Sequence, residues 1–193
     1  MREAENNPHQ PVFNFTSHPS TSSFTTSSQT YISNYADAKY KYIATGALVF
    51  DNSDCTCPRV LLIQRSQSDS MPGLWEIPGG GCDDEDESIL HAVARELWEE
   101  AGLNATSIGP LVGKPNFFVS RSGKEVCKFN FLVEVERITV QGKMDVKLDP
   151  IEHQRFVWAS EEEVRARRVG DVELVFTMRD LENTVLEAFG IRS

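Results

Sequence analysis

The segment Ser88–Gly102 (SILHAVARELWEEAG) constrains the fold more than any other part of the chain. At about 100° per residue, Leu90, Val93, Ala94, Leu97 and Ala101 fall within one narrow arc. Gly102 stands where a helix end favours a glycine. The spacing predicts a helix over 88–102 that must bury one side against another layer of structure. Along the border of that apolar stripe, Glu96 and Glu100 point nearly the same way, and Glu99 lies about 60° from Glu96. Three carboxylates there repel one another and are costly at a core boundary without a positive partner. From Asp83 to Glu100 the chain holds eight carboxylates against one basic side chain, Arg95. A hard divalent cation would complete such a set, because Mg²⁺ takes a few carboxylates together with water and phosphate oxygens. Taken as charge alone, the same cluster reads as a solvated acidic face.

Around this helix the pattern alternates between strands and helices. YIATGALVF (42–50) reads as a buried strand, DNSDCTCP (51–58) as a turn and VLLIQR (60–65) as the partner strand. LWEIPGGG (74–81) reads as a short strand ending in a Pro-Gly turn. LVGKPNFFVS and VCKFNFLVEVE read as strands around SRSGKE, and FVW (156–158) as another. Ser160 with Glu163 makes a capping box for a helix reaching about residue 168. Leu174, Met178, Leu181, Val185, Ala188 and Phe189 predict a last amphipathic helix ending at Gly190, its stripe packed in the core. The class is α+β (α/β), one layered domain over 39–193.

Residues 1–38 differ in character. Twelve of the twenty residues from Thr16 to Tyr35 are Ser or Thr, and the scattered aromatics have no periodicity. Such a segment is expected to be a disordered tail, unable to offset its ordering entropy. An organellar transit peptide would be Arg-rich and acid-poor, whereas Glu3 and Glu5 follow Arg2. The net charge is −10 and is concentrated at 83–100, which argues against a nucleic-acid polymer as partner. Cys55-x-Cys57 lacks a second pair at zinc-site spacing, so the four cysteines read as free thiols of a reducing compartment. With no apolar run long enough to span a membrane and no signal-peptide core, a cytoplasmic location is expected.

The spacing of the acidic segment carries more than its charge. Gly81 is followed after five residues by Glu87, and after seven more by Arg95-Glu96-Leu97-Trp98-Glu99-Glu100-Ala101-Gly102-Leu103. This resembles, at every fixed position, the signature of the Nudix hydrolases, G-x5-E-x7-R-E-U-x-E-E-x-G-U with U aliphatic. The approach Pro72-Gly73-Leu74-Trp75-Glu76-Ile77-Pro78-Gly79-Gly80 is similar to that of MutT-type members, and Glu152-His153 through Trp158 to a late strand common in the family. The resemblance implies a Nudix fold, an αβα sandwich around a mixed sheet. It also implies Mg²⁺- or Mn²⁺-dependent hydrolysis of a nucleoside diphosphate linked to another moiety, a small phosphorylated substrate.

Carried over position by position, Glu96, Glu99 and Glu100 match the metal-binding glutamates and Arg95 the residue that orients its neighbour. Glu87 matches a helix-entry glutamate, partly structural and partly metal-linked, while Gly81 and Gly102 frame the motif. The carbonyl of Gly80 or Gly81 is a candidate further ligand. Two candidates stand for the proton acceptor: Glu96, and Glu152 (or His153) from the late loop. Arg65, ending its strand near the active-site edge, is a candidate for holding a substrate phosphate. Trp75 reads as a packing residue before a base-stacking one, Trp98 as packing and His91 as solvated, while Asp83 to Asp86 read as a solvated acidic loop before one that recruits a further cation. Position 119 is Val, and the residues that mark ADP-ribose and dinucleoside-polyphosphate hydrolases are absent. Two alternatives stay open: a Nudix-fold module that binds a nucleotide without turnover, and a hydrolase of a non-nucleotide diphosphate such as an isoprenoid diphosphate.

Overall fold

A computed structural model describes residues 11–35, 38–54, 56–137, 139–140 and 143–191. Its elements in chain order are β1 (Thr16–Ser17), a 3-10 turn (Pro19–Phe24), α1 (Ser28–Ser33), β2 (Tyr42–Asp51), β3 (Arg59–Arg65) and β4 (Trp75–Glu76). Then follow α2 (Ile89–Ala101), β5 (Ala105–Val119), β6 (Glu125–Val135), β7 (Thr139–Val140), β8 (Lys143–Met144) and β9 (His153–Ser160). The chain ends in α3 (Glu161–Arg165), β10 (Arg168–Val169), β11 (Val172–Glu173) and α4 (Leu181–Ile191). Among the described residues the main sheet runs β1-β5-β6-β2-β3-β4, with β9 on β3. It is mixed: β2 and β6 are parallel, whereas β5–β6, β3–β9 and β3–β4 are antiparallel.

β2 is apolar along its length because both of its faces are covered. Ile43, Ala47 and Val49 face α2, joining Leu90, Val93, Ala94 and Leu97 in one core. Leu48 and Phe50 face the opposite way and join Val185 and Phe189 of α4 in a second core. This period of two across a strand buried on both sides produces the expected αβα sandwich. The predicted helix at 88–102 forms, with Ser88 accepting from the His91 N–H at its start and Gly102 left-handed at φ 65° at its end. The capping box of Ser160 and Glu163 forms as well. No helix among the described residues is long and apolar enough to cross a membrane.

Two expectations are corrected and one, the pairing of β2 with β3, is narrowed. β2 and β3 meet antiparallel only at their turn end, Phe50 opposite Val60 and Asp51 opposite Arg59. Beyond that point they diverge: the main partner of β2 is β6, and residues 78–82 fill its other edge through Thr45 N–H to Gly80 O and Cys82 N–H to Ile43 O. The last helix begins at Leu181, not near Leu174, because β11 and the loop after it hold residues 172–178 over Trp75. Residues 16–34, expected to lack fixed structure, pack on the domain instead. Phe24 and Tyr31 are buried against each other and against Phe129 and Phe131, and β1 adds in parallel to β5. Residues 1–10 and Cys55 lie outside the described residues; Cys57, Cys82 and Cys127 are free thiols.

Candidate active site

The glycine run Gly79–Gly81 positions the site. Gly79, at φ 148°, lies so close to β2 that a Cβ there would stand 2.2 Å from the Thr45 carbonyl oxygen. A Cβ on Gly80 would stand 2.6 Å from Glu96 Oε2. Only a chain without side chains fits between strand and helix here. The Gly79 N–H donates to Glu100 Oε2 at 2.6 Å, so the run touches both glutamates. A Cβ on Gly81 would meet nothing within 4 Å; its backbone carbonyl matters instead, accepting from Arg95 Nη2 at 2.9 Å. The Gly80 carbonyl accepts the Thr45 N–H.

Arg95 is buried and makes a fan of charge-assisted bonds. Its Nε and Nη2 donate to the two oxygens of Asp86, each at 2.9 Å, and its Nη1 to Glu96 Oε1 and Glu99 Oε2, each at 2.9 Å. Asp86, expected in a solvated loop, is thus the anchor of the guanidinium. Glu99 is half exposed, whereas Glu96 and Glu100 are enclosed. Burial, resisted by Arg95 and helped by Glu99 and Asp83, pushes the Glu96 carboxyl up to about 7. Burial and the neighbouring Glu76 raise Glu100 well above the ordinary carboxylate range. Glu87 stays in solvent beside the His91 ring, 3.4 Å away, apart from this cluster. His91, expected in solvent, is half-buried against the Phe15 ring. Trp98 packs on Phe13, and Trp75 is fully buried with its Nε1–H on the Glu173 carbonyl.

A second set of charges meets the first from the sheet. Glu76, buried on β4, accepts from Arg65 Nη1 at 2.5 Å and lies 3.2 Å from His153 Nε2. Burial would raise its carboxyl, yet His153, Lys128 and Arg65 together hold it below the usual range. His153 Nε2 is 3.9 Å from Glu100 Oε1, and Glu152 brings an oxygen into the same group: Glu100, Glu152 and His153 offer atoms within 4.8 Å of one another. Arg65 also pairs with Asp69 at 2.6 Å. A cleft of about 610 Å³ opens beside the glycines, lined among others by Arg65, Glu76, Lys128, Tyr42, Phe118 and Met178.

The donor set suits a hard cation. Carboxylate oxygens dominate it, and two of the acids, Glu96 and Glu100, are buried with too little positive charge around them. Glu96, Glu99, Glu100 and Glu152 could hold a divalent ion. Sequence reasoning missed Glu76, Asp86 and Lys128. The signal for Glu76 was present, since an acid between Trp75 and Ile77 in a buried strand is anomalous. Asp86 gave none within its acidic run.

The comparisons with known proteins agree with this geometry. The family model for the NUDIX domain matches residues 41–177. This chain belongs to the NUDIX family. It is a hydrolase of phosphorus-containing acid anhydrides. It is 33% identical over 131 residues to the CTP pyrophosphohydrolase of Escherichia coli K12, covering 68% of this chain and 82% of that protein. An 8-oxo-dGTP diphosphatase of Proteus vulgaris is 36% identical over 70 residues, 36% of this chain and 57% of that one. Among solved structures, the MutT protein of Methanosarcina mazei Go1 superposes with a TM-score of 0.57 at 25% identity, over 81% of this Nudix chain and 98% of its own.

Proposed function

We propose that this Nudix hydrolase is a Mg²⁺- or Mn²⁺-dependent nucleotide pyrophosphohydrolase that splits the diphosphate link of a nucleoside diphosphate joined to a further phosphate or other group. The observation that carries the reading is the pair of enclosed carboxylates, Glu96 and Glu100, both touching the glycine run that walls the cleft. With Glu99 they would hold the metal. When bound, that ion neutralises phosphate charge and lowers the pKa of a water. The chain's own residues do the rest. Arg95 fixes the Glu96 carboxylate through Nη1 and is itself fixed by Asp86, so Glu96 keeps one orientation without help from substrate. Glu152, exposed and brought beside Glu100 and His153, is placed to take the proton from the attacking water. The water oxygen bonds to phosphorus, the bridging oxygen leaves with its electron pair, and two phosphate-ended products form. Tyr42 and Phe118 line the cleft and bring aromatic rings to it against which a base would pack.

A panel of CTP, 8-oxo-dGTP, nucleotide sugars, dinucleoside polyphosphates and isoprenoid diphosphates, each with Mg²⁺, tests this. The expected result is turnover of at least one nucleotide, lowered roughly 100-fold or more in Glu152→Gln and abolished by chelation. Turnover of the isoprenoid diphosphates alone would transfer the site to a non-nucleotide substrate. Tight nucleotide binding without product would make the chain a binding module.

A further inference from the structure

On the sheet face turned away from α2, Leu48 and Leu132 lie in the α4 core, but the next residues along the same rows are Ala44, Gly46, Lys128 and Asn130. Pairing sets Ala44 opposite Lys128 and Gly46 opposite Asn130. Lys128 is 8% exposed and Asn130 1%. Among the described residues the Lys128 ammonium makes no direct ion pair, although its charge acts on Glu76 and Glu100, and neither Oδ1 nor Nδ2 of Asn130 has a hydrogen-bond partner. Both side chains reach one spot: a Cβ on Gly46 would lie 2.4 Å from Asn130 Oδ1 and 3.1 Å from Lys128 Cε. The glycine leaves them room. Lys128 also lines the cleft beside Gly79–Gly81. On the other side of the glycines Arg65 is already engaged by Asp69 and Glu76. An enclosed amide without partners is costly to the fold, and an ammonium that lines the cleft without a direct ion pair is free to meet an anion there. A group that engages both would be anionic and rich in hydrogen-bond acceptors.

We propose that Lys128 is a substrate-binding residue: its ammonium holds a non-bridging oxygen of the substrate's phosphate chain from the sheet side, and the Asn130 amide hydrogen-bonds the same phosphate. The identity of the anion rests on the hydrolase reading. Titration calorimetry with inorganic pyrophosphate and Mg²⁺, on the full chain, tests the proposal without turnover. Lys128→Met should weaken pyrophosphate binding about tenfold or more, and Lys128→Arg should recover most of it. Asn130→Leu should raise the thermal midpoint, since a buried amide without partners is removed, and should weaken binding. With any nucleotide that turns over, the loss in kcat/KM for Lys128→Met should fall in KM. Binding by Lys128→Met within about twofold of wild type, or no pyrophosphate binding by wild type, would each overturn the proposal. Turnover by wild type with an unchanged KM in Lys128→Met would overturn it while leaving the hydrolase reading intact. Absence of any turnover, with pyrophosphate binding lost in Lys128→Met, would do the reverse.

Discussion

Arg95 donates to Asp86, Glu96, Glu99 and the Gly81 carbonyl at once, so its charge is shared among acids that would otherwise repel. Asp86→Ala removes two of those bonds and leaves the guanidinium half-paired. It should lower unfolding free energy by about 2–3 kcal/mol in denaturant melts and reduce turnover as Glu96 loses its fixed orientation. Arg95 and Glu96 stood out through the resemblance of their motif to the Nudix signature; Asp86 did not, because its sequence neighbours Asp83, Asp84 and Glu85 are equally acidic and only the fold selects one. Glu96 sets a pH dependence with a definite sign. Its carboxyl rises from 4.5 to about 7 on folding, so the native state binds a proton that the unfolded chain has released. The associated stability is full below 4.5 and is lost as pH rises through 7. Metal-free protein should therefore melt at progressively lower temperature between these limits, and Glu96→Gln should flatten that decline. An equal decline in Glu96→Gln would assign it to other groups.

At the scale of elements, α2 was readable because its stripe, cap and carboxylates repeat with one period. The N-terminal segment was not, because its anchors are aperiodic. Phe24 and Tyr31 each enter the core from short helical turns, and Phe13 and Phe15 reach Trp98 and His91 on the outer side of α2. A further tie is Ile89 N–H to Thr26 O, at the first residue of the helix. The segment thus braces the start of the helix that carries Arg95 and the glutamates. Phe24→Ala, which removes a ring in contact with Tyr31, Phe129 and Phe131, should cost about 3–5 kcal/mol. At about 2–4 °C per kcal/mol for a chain of this size, calorimetry should show a fall on the order of 10 °C. Deleting residues 1–34 should cost at least as much. A deletion that melts with wild type would return the segment to the status of a tail. The pairing of β2 with β6 was equally hidden, since a run of apolar residues shows burial on two faces but not which strand lies alongside.

For the whole molecule, the sheet order brings four stretches of chain to one place: Arg65 from β3, Glu76 with the glycines, the glutamates of α2, and Glu152-His153 at the start of β9. The chemistry of the motif was legible because its spacing is local, while Glu76 and Lys128 join it only through tertiary contact. The assembled site holds more negative charge than its own cations neutralise, and the chain as a whole carries −10. Stability and metal binding should therefore be coupled through Glu100, which is buried and accepts the Gly79 N–H. At a Mg²⁺ concentration one hundred times its dissociation constant, linkage gives about 2.7 kcal/mol, a rise of roughly 5–10 °C. Glu100→Gln removes the buried charge while the amide oxygen can still accept the Gly79 N–H, so its metal-free midpoint at pH 8 should lie above wild type. The same variant should lose most of the Mg²⁺-dependent rise and nearly all turnover. A full Mg²⁺ shift retained in Glu100→Gln would exclude Glu100 from the metal site, and a wild-type midpoint flat across the titration would mean that no ion completes the carboxylate cluster.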